Sequence, residues 1–199
     1  NFLLTFFNNL ENKKILIISP FGNIICDNYN KNKDTIFENF KNIEGKTGQE
    51  YLNFKYPKFK KIDYIELYIT NNETLKLKNN EWILDEDNIN DEHCPHNNFN
   101  ETIEEIQNKI KEKDFDVALI GGGIYTQQLG FYIKNKLNKG SIYMGGALQC
   151  YFGIIGRRYI PKYEKYFNKS WIKPDIENLS ELLKKQINVG PTEAMGAYF

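Results

Sequence analysis

The strongest constraint on how this chain can fold lies in its second half, from Phe115 to Arg158. Asp116 opens a short apolar run, Val117 to Ile120, which ends on three consecutive glycines, Gly121, Gly122 and Gly123. A run this short, rich in Val and Ile and bounded by Gly, predicts a buried strand rather than a helix. The period then changes, because Leu129, Ile133 and Leu137 stand four residues apart and line one helical face. Asn138, Lys139 and Gly140 form a helix-stop signal, and Ser141 to Met144 reads as a second short strand. That strand also ends on glycines, Gly145 and Gly146, before Ala147 to Ile154 resumes a helix-compatible pattern. Strand, glycines, helix, twice over, is the grammar of a parallel α/β sheet with loops at its strand ends.

Glycine at such a strand end serves one of two purposes. It lets backbone N–H groups approach an anion in front of a helix N-terminus, or it simply permits a tight strand-to-helix turn. Two clusters at successive strand ends fall on one edge of a parallel sheet, the edge at which ligands bind in this architecture. The triplet is not the G-x-G-x-x-G dinucleotide fingerprint, and the chain contains no Walker P-loop. The glycines therefore indicate a place without naming a ligand.

The remaining strands follow from the same signals. Ile15 to Ile18 is a buried strand ending at Ser19-Pro20-Phe21-Gly22, where proline stops the strand and glycine permits a turn. Ile62 to Ile69 alternates enough to form another. The expected architecture is α/β, a Rossmann-like parallel sheet with helices on both faces and strands near 14–19, 62–69, 116–120 and 141–144. A helix is expected over Asn23 to Phe40, with Ile25, Tyr29, Ile36, Phe37 and Phe40 on its buried side. A second is expected from Asn98, capped with Glu101, through Lys111, with Ile103, Ile106 and Ile110 as its stripe. Phe2 to Leu10 and Asn178 to Gln186 are further helix candidates, and Ile160 to Lys169 is aromatic and basic without a clear period.

At 199 residues the chain is expected to be one α/β domain, the C-terminal part of a longer protein, with peripheral insertions near 41–61 and 71–98. Within the second of these, Trp82-Ile83-Leu84 is a short extra strand or a hydrophobic plug. His93, Cys94 and His96 stand together there as H-C-P-H. Their spacing matches no structural zinc finger, so a solvated loop without metal is expected.

The long central stretch resembles a family of bacterial and viral proteins related to glycosyltransferases of the GT-D fold type. Members carry a run similar to FDVALIGxGxYGxPLxxxIK followed by one close to GGAxQxxFGIxGxRW. Asp116 through Gly121, Gly123, Tyr125, Leu129, Ile133 and Lys134 stand at the matching places of the first run. Gly145, Gly146, Ala147, Gln149, Phe152, Gly153, Ile154, Gly156 and Arg158 match the second. Lys13 to Phe21 resembles the family's first strand and S-P-F turn. Trp171, Pro174 and the tail from Pro191 through Glu193 to Phe199 resemble its ending. The chain departs from the pattern at Tyr159, Lys173 and Ala197, and at Thr126 and Gln128, which replace a glycine and a proline. The family's acidic R-x-G-x-x-E or D-x-E element has no counterpart upstream of Lys13.

The resemblance implies a domain that binds a sugar nucleotide and transfers the sugar to a glycan or other acceptor. The alternative is a catalytically silent nucleotide- or glycan-binding module of a larger protein, viral in one reading. Substrate contacts are expected from Ser19, Gly121, Gly122, Gly123, Tyr125, Gly145, Gly146, Gln149 and Arg158. Each has a bland counterpart: a closed turn for Ser19, packing for Tyr125, a loop hydrogen bond for Gln149, a solvated helix end for Arg158. Glu193 is the carboxylate that the resemblance singles out as catalytic. A divalent cation, Mg or Mn, is expected only if the upstream acidic element exists.

Charge adds exclusions. Lys plus Arg and Asp plus Glu number 26 each, so no bulk field favours nucleic acid or an anionic membrane. Three scattered cysteines cannot form a disulfide framework and suit a reducing compartment. No stretch reads as a membrane span or signal peptide, so a cytoplasmic location is expected, in a host cytoplasm or virion if the source is viral. A homo-oligomer is compatible with these observations. The abundance of Asn, Lys and Ile fits an A+T-rich source such as a giant virus or a low-G+C bacterium.

Overall fold

The computed structural model describes residues 8–38, 56–67, 75–78, 81–84, 99–156 and 160–174. Four strands form one all-parallel sheet: β1 (Lys14–Ser19), β2 (Lys61–Glu66), β5 (Val117–Ile120) and β6 (Gly140–Tyr143), in the order β2-β1-β5-β6. Each is within a few residues of the span its composition predicts. The central pair is the most apolar, with Leu16, Ile17, Ile18, Ala118 and Leu119 all without solvent exposure. Such runs suit strands covered on both faces.

Side-chain alternation divides the sheet into two cores. Ile15 and Ile17 of β1 and Leu119 of β5 face α1 (Gly22–Asn32) and the short α4 (Ala147–Tyr151). Leu16 and Ile18 of β1, with Ala118 and Ile120 of β5, face α2 (Phe99–Lys111) and α3 (Thr126–Leu137). The sheet therefore carries helices on both faces, a Rossmann-like α/β arrangement. Each fully buried Ile or Leu contributes about 1.5–3 kcal/mol relative to exposure, so these two layers dominate stability.

On α2 the expected stripe is buried, Ile106 and Ile110 completely and Ile103 nearly so. Glu101 in its first turn and Lys109 and Lys111 in its last complement the helix dipole. Helix α3 stops where the asparagine signal predicts. Asn138 is left-handed at φ 51°, and its amide and that of Lys139 both donate to the Ile133 carbonyl.

Two helices are shorter than their patterns suggest. Helix α1 ends at Asn32, and residues 33–37 turn instead of continuing to Phe40. The turn brings Ile36 into full burial and presents its carbonyl to the Trp171 indole N–H at 2.7 Å. Helix α4 ends at Tyr151 rather than running to Ile154, because Gly153 adopts φ +69°. A side chain there would meet Asn28 Nδ2 and Ile36 Cγ2 at 3.1 Å, so the position requires glycine. Beyond it Ile154 forms a parallel bridge with Ile172.

Residues 56–59, the end of an expected peripheral insertion, instead pack on the α1 face. Tyr56 and Phe59 lie against the core cluster, and Phe59 stacks on Tyr29 at 4.6 Å. The Tyr29 hydroxyl donates to the Pro57 carbonyl at 3.1 Å and accepts from the Phe59 amide at 2.8 Å. Within the other insertion, β3 (Leu75–Lys78) and β4 (Glu81–Leu84) form a separate two-stranded antiparallel sheet that includes Trp82. A short helix, α5 (Ile160–Tyr163), follows the central stretch. Among the described residues no helix is long and apolar enough to cross a membrane.

Candidate functional site

The strand order places the site. From β1 the chain moves outward to β2 through α1 on one face. It then crosses back over β1 to β5 through α2 on the other face, and continues outward to β6 through α3. The direction of winding therefore reverses between β1 and β5. In an open parallel sheet the loops at such a reversal part to opposite faces and leave a crevice at the carboxyl edge, where ligands bind. Here the diverging loops are Pro20–Phe21, leading into α1, and Gly121–Tyr125, leading into α3.

The two loops and that after β6 are held together by backbone hydrogen bonds. Gly121 N donates to Ile18 O at 2.9 Å, Leu67 N to Ser19 O at 3.2 Å and Met144 N to Ile120 O at 2.9 Å. The structure thus brings Ser19, Gly121 to Gly123, Tyr125, Gly145, Gly146 and Gln149 to one edge of the sheet. Arg158 and Glu193, like His93, Cys94 and His96, lie outside the described residues.

At this edge the residues serve unequal ends. Ser19 is buried, and its Oγ accepts from the Phe21 amide at 3.2 Å, closing the turn into α1. Gly22 lies so close to Tyr64 that an added Cβ would stand 2.9 Å from the tyrosine Cβ. Gly121 is a close-approach position, where a Cβ would come within 3.0 Å of both the Gly145 carbonyl and Leu148 Cδ2. Gly122 is equally confined, since a Cβ would collide with Leu67 Cδ2. Tyr125 is buried and stacks on Phe99 with ring centroids 5.0 Å apart and planes 10° from parallel. Its ring is committed to the α2–α3 contact. Gln149 is buried in α4, and its backbone N–H donates to Gly146 O at 3.2 Å.

Gly123 differs from its neighbours. Its φ is +53°, and a Cβ built there meets none of the described residues within 4 Å. Gly122, at φ −122° and ψ 21°, precedes it. A right-handed or bridge residue followed by a left-handed one turns successive amides to the same side and forms an anion-binding concavity. No hydrogen bond among the described residues reaches the Gly122 or Gly123 amide. The helical run that follows, a single 3₁₀ turn at Gly123–Tyr125 and then α3, adds the positive end of its dipole. In the loop after β6, Met144 and Gly145 both donate to Ile120 O, and Ala147 to Met144 O.

Two positions carry more than their sequence context indicates. Glu66 ends β2 in register with Ser19 and is half-buried, so it is the one described carboxylate among the strand ends and their loops. Alternation along β2 is the signal that would have marked it. Thr126 begins α3 and is only 3% exposed. The signal there was a departure, since threonine stands where the resembling family run has glycine.

The described residues place one carboxylate at this edge. Among the described residues no group of three His, Cys, Asp or Glu is placed to hold a metal ion. No cation step follows from these residues. The fold class is established as Rossmann-like α/β. Comparison with protein-family models, with curated proteins and with solved structures finds no match to this chain.

Proposed function

We propose that this chain is a glycosyltransferase-related domain that binds a sugar nucleotide at the crevice between β1 and β5. The observation that carries the reading is the pair of uncommitted glycine amides, Gly122 and Gly123, at the topological reversal and ahead of α3. These donors suit the diphosphate of an activated sugar. They would stabilise charge that accumulates on it as the glycosidic bond breaks. The likeness of the central stretch to the GT-D-related family supports the sugar-nucleotide class over other anions. Transfer to a glycan or other acceptor needs a base, for which Glu193 is the family-derived candidate and Glu66 the carboxylate at the described edge.

Calorimetric titration of UDP, GDP and their sugar conjugates tests the reading, in the wild type and in Gly123→Ala. The new methyl enters open space above the concavity, so the cost to folding is the left-handed strain of about 1–2 kcal/mol. Wild-type binding that disappears in the variant, with only the corresponding small fall in melting temperature, is the expected result. Failure of the wild type to bind any of these nucleotides, or equal binding by both proteins, sinks the proposal. Release of nucleoside diphosphate in the presence of acceptor, assayed with and without Mg²⁺ or Mn²⁺, separates the enzyme from a silent binding module.

A further inference from the structure

Thr126 presents a hydroxyl that the fold leaves unused. Its Oγ1 is buried with no hydrogen-bond partner among the described residues. It lies 3.5 Å from the point a β-carbon on Gly122 would occupy, where Leu67 Cδ2 packs, and so stands beside the glycine whose amide makes no hydrogen bond among the described residues. A buried hydroxyl without a partner is costly, and native structures retain few of them. A methyl in the same place, as valine supplies, would fill the volume without that cost. A hydroxyl beside two uncommitted amides at a helix N-terminus is instead a donor set waiting for an acceptor.

We infer that the Gly122 and Gly123 amides and the Thr126 hydroxyl together form a subsite for a phosphoryl oxyanion, with Thr126 as its affinity-determining side chain. The inference rests on the sugar-nucleotide reading for its choice of ligand, but not for its geometry. Three donors stand at the head of α3, a helix of 12 residues whose dipole favours negative charge there. The open side of the concavity is at Gly123, where no described residue stands within 4 Å of a β-carbon position. Two successive glycines let the loop settle onto the anion and bring its oxygen to the hydroxyl. Thr126 replaces a glycine of the family run, so this third donor belongs to the present chain and not to the general pattern.

The test uses the whole chain with inorganic pyrophosphate and UDP as probes, in wild type, Thr126→Val and Thr126→Ser. The wild type is expected to bind both. Thr126→Val should weaken both about tenfold or more, the loss of one hydrogen bond to a charged group. Thr126→Ser should bind within a few-fold of wild type. Without ligand, Thr126→Val should melt no lower than wild type, because it removes an unsatisfied hydroxyl. A purely structural hydroxyl, or one holding a buried water, predicts the reverse: a lower melting temperature in Thr126→Val. That result, or equal binding by wild type and Thr126→Val, overturns the subsite. Pyrophosphate binding without UDP binding supports the subsite and sinks the sugar-nucleotide reading. UDP binding that is indifferent to Thr126→Val does the opposite. Should neither probe bind the wild type, the subsite is overturned.

Discussion

The two faces of the sheet are closed by different means. Against β1 and β5 on one side stand α2 and α3, two regular helices contributing Ile103, Ile106, Ile110, Leu129 and Ile133. On the other side only α1 is long. Much of the cover is aromatic and comes from segments without regular structure: Tyr56 and Phe59 before β2, Phe37 after α1, Phe152 and Trp171 after α4. Rings stack in a continuous group there, with Tyr56 on Tyr151 at 5.0 Å and on Phe37 at 5.4 Å. Such pairs contribute about 0.5–1.5 kcal/mol beyond area burial. Irregular backbone also needs individual hydrogen bonds, and this face supplies them from side chains. Asn28 Nδ2 donates to Phe152 O at 2.7 Å and Ser170 O at 3.1 Å, Tyr56 donates to Tyr151 O at 3.0 Å, and Trp171 to Ile36 O. The aliphatic face is held by repetition and the aromatic face by specific residues, so the second should be less tolerant of single changes.

The largest expected effect probes that difference directly. Phe152 is fully buried among Tyr29, Tyr56, Phe59 and Tyr151. Phe152→Ala should cost about 3–5 kcal/mol, while Ile106→Val on the opposite face should cost about 0.5–1.5 kcal/mol. Urea unfolding of the two variants checks both. If Ile106→Val proves the more damaging, the contrast between the faces is wrong.

A smaller effect sharpens it. Asn28→Ala leaves the Phe152 and Ser170 carbonyls without their buried donor, at a cost of about 1–3 kcal/mol. The loss should be local as well. Hydrogen exchange should accelerate at Ile155 and Ile172, whose amides donate to Ile172 O and Gly153 O across the same junction, before it does in α2. Equal acceleration in α2 would mean that the two faces open as one unit.

The same contrast explains what could be read from the chain beforehand. The aliphatic face was legible because Ile103, Ile106 and Ile110, then Leu129, Ile133 and Leu137, repeat at helical spacing. The four parallel strands were legible from short apolar runs ended by glycine or proline. Residues 56–59 and 167–172 have no period, and their burial depends on rings from distant segments, so no local pattern marks them. The candidate site divides likewise. Its location follows from strand ends on one edge, and Ser19 and the glycines are found there. The use of each residue was not legible. Whether Gly121 serves packing depends on Gly145 and Leu148, and whether Gly122 is confined depends on Leu67, all from segments distant in sequence. Among the described residues of these glycine loops, space remains open around Gly123.

The smallest effect at neutral pH is a slope on the alkaline side, to which buried groups of the aromatic face contribute. Burial pushes the Cys26 thiol up from its ordinary 9.0 to about 12. Burial likewise raises Tyr29, and raises Tyr56 and Tyr151 well above the tyrosine value of 10.0. All four groups belong to or pack against the core cluster beneath α1. Each is neutral when protonated, so the folded state holds its proton to a higher pH than the unfolded chain does. The stabilisation is complete below the unfolded values and is lost as pH rises through them toward the folded ones. Stability should therefore be flat from pH 7 to about 8.5 on this account, and fall progressively from near pH 9 upward. Tyr56→Phe removes one contributor. It should lower stability at neutral pH by about 1 kcal/mol for the lost bond to Tyr151 O, yet flatten the alkaline slope. Ile106→Val should lower stability by the same amount at every pH and leave the slope unchanged. Urea midpoints at pH 7, 9 and 10.5 for the three proteins decide the matter. Parallel curves for wild type and Tyr56→Phe would show that the buried hydroxyls do not set the alkaline limit.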